Sequence, residues 1–277
     1  MMLGKGISNY RGLASQLLPS GRRNRNALHA LKANQLHPHE ANVFLEQAVR
    51  DSAPFTSIRP GATESIGFDH FVRRRLFSGG GPRPGYPRRF LAEATAKSGV
   101  SWSNAEDLDT FCSIYIQAVL EADSLVFGSF APSAFQLIRL QQMRGIPTMD
   151  ISDFEPFTSL SRGIRCWTRG LEGKKVLVIH PFEDSIKTQY RRRKHVRGVR
   201  DLLPSFQLFT LCPPVTFAGL TSARSWIESL DTTIDRMRQV GFDVALIGAG
   251  AYGAPLAHAA KRMGRIGIHM GASLQLL

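Results

Sequence analysis

The sequence predicts an α/β protein built on a parallel sheet with helices on both faces. Short runs such as KKVLVIHPF and FDVALIG are apolar without alternation, as strands buried on both sides are. Segments of helical length separate these runs, which calls for crossover connections rather than hairpins. A chain of 277 residues, 43% of them hydrophobic, can bury a full core.

Residues 1 to 36 lack periodicity and are rich in Ser, Asn, Gly and Arg, and no Asp or Glu occurs before Glu40. They carry no apolar core of a secretory signal, and their composition is like that of an organelle transit peptide. The expectation is a basic flexible arm over 1–36 and one domain over 37–277. HPHEANVFLEQAVRD then predicts an amphipathic helix, and PFTSIRPG a strand ending at Arg59-Pro60-Gly61. A helix follows from about Thr63 to Arg75, then the Gly/Pro loop FSGGGPRPGYPRR. Helical periodicity returns in RRFLAEATAKSG and AEDLDTFCSIYIQAVLEA, so the N-terminal half reads as largely helical. SLVFG is a short strand, and SAFQLIRLQQMRG a helix capped at Gly145.

The last hundred residues alternate clearly. KKVLVIHPF is a strand, EDSIKTQYRRRKHVRGVRDL a basic helix, and SFQLFTLCPP a strand stopped by prolines. SARSWIESLDTTIDRMRQVG is a helix, FDVALIG a strand, AYGAPLAHAAKRMG a helix and RIGIHMG a final strand. In such sheets ligands collect outside the carboxyl ends of the strands. The segments 59–64, 128–130, 180–185, 212–214, 248–253 and 270–273 are therefore expected to line one cleft.

Cys112, Cys166 and Cys212 are odd in number and far apart, which predicts reduced thiols in a cytoplasmic protein. No uncharged run is long enough to cross a membrane. The formal charge of +13 is concentrated in the first 39 residues and in YRRRKHVRGVR, patches that attract phosphate on nucleic acid, lipid or nucleotide. Nucleic acid is the weakest of these expectations, because no reading motif accompanies the charge.

FDVALIGAGAYGAPLAHAAK contains Gly248, Gly250 and Gly253 in a G-x-G-x-x-G pattern between a strand and a helix. A dinucleotide fingerprint also needs an acid about twenty residues on for the ribose. Asp243 is the last acidic residue of the chain. No NAD or FAD is therefore expected, while a phosphate or sugar hydroxyl at the helix start is.

GKKVLVIHPFEDSIKTQY (173 to 190), FDVALIGAGAYGAPLA (242 to 257) and IGIHMGASLQLL (266 to 277) resemble a family of bacterial polysaccharide-cluster proteins related to GT-D fold glycosyltransferases. SIRPGATE (57 to 64) sits where that fold carries an R-x-G-D-G-E-like segment, and AEDLDTFCSIYIQAVLEADSLVFG (105 to 128) fits its middle. The likeness covers roughly residues 40 to 277. It implies a Rossmann-like sheet and a glycosyltransferase-like protein that uses a nucleotide sugar in cell-surface polysaccharide or glycan biosynthesis, with a glycan or lipid-linked acceptor. A cytoplasmic location, peripheral at the inner face of an anionic membrane, suits the basic face.

In the resemblance, Glu64 is the catalytic and metal-contacting residue. Ala62 stands where the first acid of the pair is expected, which weakens the case for a divalent cation (manganese or magnesium). Arg59, Gly61, Thr63, His180, Ser185, Lys187, Gln189, Arg191, Gly248, Gly250, Tyr252 and Gly253 are the candidate donor-binding residues. Lys187 and Arg191 are expected to neutralise the diphosphate in place of the missing carboxylate. Relatives extend past the position of Leu277, so the alternative expectation is a shortened or degenerate, non-catalytic sugar-nucleotide binder or scaffold.

Overall fold

A computed structural model of the chain describes residues 34–76, 85–128, 144–193, 202–215 and 225–276. The predicted arm up to residue 33, the Gly/Pro loop over 77–84 and most of the predicted helix before Gly145 lie outside the described residues. The elements in order are α1 (Pro38–Asp51), β1 (Phe55–Ile58), α2 (Ala62–Leu76), α3 (Arg88–Ser98), α4 (Ala105–Leu120), β2 (Ser124–Phe127) and β3 (Thr148–Asp150). Short helices α5 (Ile151–Phe154) and α6 (Pro156–Ser161) and a 3₁₀ turn (Trp167–Leu171) lead to β4 (Lys175–Ile179). Then come α7 (Glu183–Arg192), β5 (Gln207–Leu211), α8 (Trp226–Arg238), β6 (Val244–Ile247), α9 (Gly253–Arg262) and β7 (Ile266–His269).

The seven strands form one sheet in the order β3-β2-β1-β7-β6-β4-β5, and every pairing is parallel. The architecture is α/β and Rossmann-like. The first half of the chain contributes β1 and β2 to the shared sheet, so it is not helical throughout. Residues just before α1 are tied to it as well: Leu36 N–H donates to Thr148 O at 2.9 Å, and Thr148 N–H to Asn34 O at 3.0 Å.

Strands β1, β2, β4, β5 and β6 divide their side chains between two cores, as a period of two requires. Leu177, Ile179, Ala245, Ile247 and Leu125 pack with residues of α2, α3, α4, α8 and α9. Val176, Val178, Val244, Leu246 and Val126 pack with α1, α5 and the Trp167–Leu171 turn. On the first face Trp226 stacks on Tyr252, with centroids 5.2 Å apart at 16°, and meets Phe111 edge-on at 4.8 Å. On the second face Trp167 stacks on Phe154 at 5.9 Å. There Asn42 joins α1 to its neighbours, donating to Asp153 O at 2.9 Å and accepting from Trp167 N–H at 3.0 Å.

Helix starts follow local chemistry. Asn104 and Ser225 form capping boxes with Asp107 and Glu228, satisfying orphan N–H groups of α4 and α8. One buried ion pair locks α2 to α4. Arg74 Nε donates to Asp109 Oδ1 at 3.0 Å, and Tyr86 O–H reaches the same carboxylate at 2.7 Å. Cys112, Cys166 and Cys212 are free thiols. Among the described residues no helix is long and apolar enough to cross a membrane.

The topology positions the site. After β4 the chain turns into α7, whose Ile186 packs on the second core. After β6, the neighbour of β4, it turns into α9 on the first core. Connections that diverge from adjacent strands open a crevice at their carboxyl ends, the usual ligand position in such sheets.

Candidate functional site

A cleft of about 490 Å³ opens at these strand ends. Arg59 to Glu64 follow β1, His180 to Phe182 follow β4, Pro213 and Pro214 follow β5, and Gly248 to Gly250 with Tyr252 follow β6. His269 ends β7, and Gly271, Ala272 and Gln275 come after it. Lys97, Ser98 and Gly99 at the end of α3 complete the lining. Non-consecutive strands thus bring SIRPGATE, VIHPF, LIGAGAY and IHMGAS to one place. Of the six strand-end segments expected to line one cleft, 128–130 is the exception, since Gly128 is not in the lining and 129–130 lie outside the described residues.

Glu64 is buried in the first turn of α2, 8% exposed. Its carboxyl folds back over Gly61, where a Cβ would overlap the oxygen. Burial pushes its pKa above the ordinary carboxylate range, opposed by its own backbone N–H, the Ser98 hydroxyl and the positive charge of Arg59. Behind it, Gly61 N–H donates to Tyr115 Oη at 3.0 Å. Burial and the neighbouring Glu64 raise the pKa of that phenol. Burial lowers the pKa of Arg59, against the fields of Glu155, Tyr115 and Glu64.

His180 is 3% exposed, and its Nδ1 accepts the Phe182 N–H at 3.0 Å. The neutral ring therefore carries its proton on Nε2 and is a hydrogen-bond donor there. Burial lowers its pKa, which keeps it neutral. A second histidine, His269, is 5% exposed. Burial and the charge of Arg59 push its pKa down to about 3.

The three glycines of the fingerprint are occupied by the protein itself. A Cβ on Gly248 would lie 2.7 Å from His180 Cδ2 and 2.8 Å from the Gly271 carbonyl oxygen. One on Gly253 would overlap the His269 ring, and one on Gly250, whose φ is +54°, would stand 3.0 Å from Ser98 O. Gly248 and Gly253 lack side chains to seat two imidazoles. A pyrophosphate explanation is not needed for either.

Arg59, Gly61, Thr63, Glu64, His180, Gly248, Gly250 and Tyr252 line the cleft. Ser185 and Gln189 line instead an adjoining apolar cavity of about 260 Å³ between α7 and the sheet. His180, Phe182 and Gln275 border both spaces. Lys187, Arg191 and Gly253 line neither. Lys187 is paired with Glu183 and Asp184 on its own helix, and Arg191 is exposed. His269, Lys97 and Ser98 were not singled out from the sequence. Only the position of RIGIHMG as a strand followed by a glycine pointed toward His269.

The cleft does not suit a resident divalent cation. Such an ion takes several hard oxygen ligands. Here one carboxyl is available, its proton affinity raised, with Arg59 and Lys97 beside it. Among the described residues no three His, Cys, Asp or Glu are grouped to hold a metal. The arrangement suits an anionic oxygen ligand better: Arg59 and His180 line a common space, with Lys97, whose ammonium lies 3.5 Å from Glu93 on its own helix, at its border.

No protein-family model matches the chain, and no curated protein is significantly similar to it.

Proposed function

We propose that the cleft binds a nucleotide sugar and that the protein is a glycosyltransferase-like enzyme of cell-surface polysaccharide or glycan assembly. One observation carries this reading: Arg59, Glu64 and His180, each singled out from the sequence, converge in one cleft at the topological switch point. Its volume of about 490 Å³ is within the range of small-molecule sites. In the transfer, the bond from the anomeric carbon to the diphosphate oxygen breaks and its electron pair stays on the phosphate. The acceptor hydroxyl oxygen bonds to that carbon, and its proton passes through solvent to the departing diphosphate. Arg59 and Lys97 offset the charge on the departing diphosphate, and His180 Nε2–H donates to one of its oxygens. Cations take this role, so no step needs a resident metal. The protein acts in the cytoplasm, with its basic face toward anionic lipid and a glycan or lipid-linked acceptor.

A non-catalytic sugar-nucleotide binder is the second reading, favoured by Ala62 and by the burial of Glu64. A thermal-shift panel of UDP, GDP, CDP, their common sugar conjugates, NAD and a single-stranded oligonucleotide, with manganese or chelator, tests both. One nucleotide class stabilises the protein by about 2.7 kcal/mol at a hundred times its dissociation constant, equally with chelator. NAD and the oligonucleotide leave it unmoved. A panel flat across every nucleotide overturns the reading. Binding of a sugar conjugate without any release of nucleoside diphosphate, over a screen of acceptors, favours the second.

A further inference from the structure

We infer that His269 contacts the ligand and that, with Arg59, it forms a seat for a phosphate group. The strands β1 and β7 are neighbours, with Ser57 opposite Ile268, so Ile58 is level with His269 and Arg59 lies one residue beyond. Both Arg59 and His269 line the cleft, and the Arg59 charge acts on the imidazole. The Nδ1 of His269 is buried and has no hydrogen-bond partner in the protein. Leaving a buried polar atom unmatched costs stability, and such atoms in native proteins commonly await a ligand or water. The ring has room there because Gly253 has no Cβ to displace it.

Arg59 is accommodated in the same way. Gly271 turns at φ +58°, and a Cβ there would stand 2.6 Å from Arg59 Nη1. Two glycines thus make room for one guanidinium and one imidazole. Glu155 and Glu64 also face Arg59, and the Glu155 oxygens accept from Ser273 and Thr158 as well, while the guanidinium carries five N–H donors to share among several acceptors. Glu64 is held toward its neutral form by burial. A phosphate is the group that uses this pair best, taking charge and N–H donors from the guanidinium and a further N–H from the neutral ring. The nucleotide reading supplies only what carries the phosphate.

Two variants test this, His269→Leu, which keeps the volume, and His269→Gln, which keeps a donor. Calorimetric titration uses inorganic diphosphate, UDP, GDP and CDP at pH 7.5, with unfolding midpoints recorded beside each. His269→Leu is expected to fold with an unchanged or higher midpoint and to lose about tenfold in affinity, as for one hydrogen bond to a charged group. His269→Gln retains most of the affinity. A lowered midpoint in the Leu variant makes His269 a structural residue and overturns the inference, as does unchanged affinity in the folded variant. Binding of diphosphate without any nucleoside diphosphate refutes the nucleotide reading and leaves the phosphate seat standing. Failure of diphosphate and of every nucleotide to bind the parent overturns both.

Discussion

Gly248→Ala separates a glycine kept for packing from one kept for a ligand. The added Cβ would lie 2.7 Å from His180 Cδ2, 2.8 Å from the Gly271 carbonyl oxygen and 3.2 Å from Leu274 Cδ2. The first two distances are below what carbon tolerates, and the carbonyl cannot swing aside as a side-chain tip would. Nor can position 248 easily retreat, because its N–H donates to Ile179 O at 2.9 Å. His180 is held by its bond from Phe182 N–H. Forcing a methyl into such a site costs about 1–3 kcal/mol, and the backbone contact places this one near the upper end. With a domain of this size losing about 2–4 °C per kcal/mol, the melting midpoint should fall by about 4–12 °C. Urea denaturation followed by tryptophan fluorescence gives the free energy directly. Stability within about 0.5 kcal/mol of the parent would show spare room at Gly248 and return the loop to a ligand-binding role.

Two further outcomes follow from buried charge. Asp109→Ala strands Arg74 and Tyr86 in the interior and should cost about 3–5 kcal/mol in the same denaturation assay, since Arg74 and Asp109 are each only 5% exposed; a loss below about 1 kcal/mol would mean the pair is solvated. The pKa of His269 is about 3 in the folded chain against an ordinary value of 6.5. Between these values the unfolded chain binds the extra proton, so stability is full above pH 6.5 and falls as pH drops toward 3. Relative to His269→Leu, the parent should lose roughly 1 kcal/mol per pH unit across that window, and parallel stability curves for the two proteins would refute the burial of the ring.

The strands that were legible in the sequence were four- or five-residue runs set between clear turn signals, from the apolar KVLVI to the mixed FTSI. Thr148–Asp150 was not, because three residues after Pro147 give no period to read. It is nevertheless the strand that fixes one edge of the sheet and holds residues 34–36. The stretch from Ile151 to Leu171 was equally silent. Its elements are four to six residues long, and its anchor is the fully buried Trp167 rather than a repeating pattern. In the site, local sequence identified strand ends but not their neighbours. Arg59 and His269 are separated by most of the chain and line one cleft only because β7 inserts beside β1. Lys187 shows the opposite failure. A lysine in a helix after a strand end suited a diphosphate, yet acids at positions 183 and 184 of the same helix pair with it.

The glycine loop shows why a motif needs its structural partners. In a dinucleotide site the glycines, the helix start and the distant acid act on one molecule, and the acid is what reports that molecule's ribose. Here the glycines answer to protein groups instead: Gly248 to the ring that ends β4, Gly253 to the ring that ends β7, and Gly271 to the guanidinium that follows β1. Each small residue faces a large nitrogen-bearing one across the strand ends. That reciprocity explains how G-x-G-x-x-G can occur without an acid downstream. It also means that the nitrogen-bearing groups lining the cleft include side chains at the ends of three separate strands. A ligand held that way is gripped by Arg59, His180 and His269, so its affinity should respond to substitution of those residues. It should be far less sensitive to the helix itself, whose first residue, Gly253, lines neither cavity.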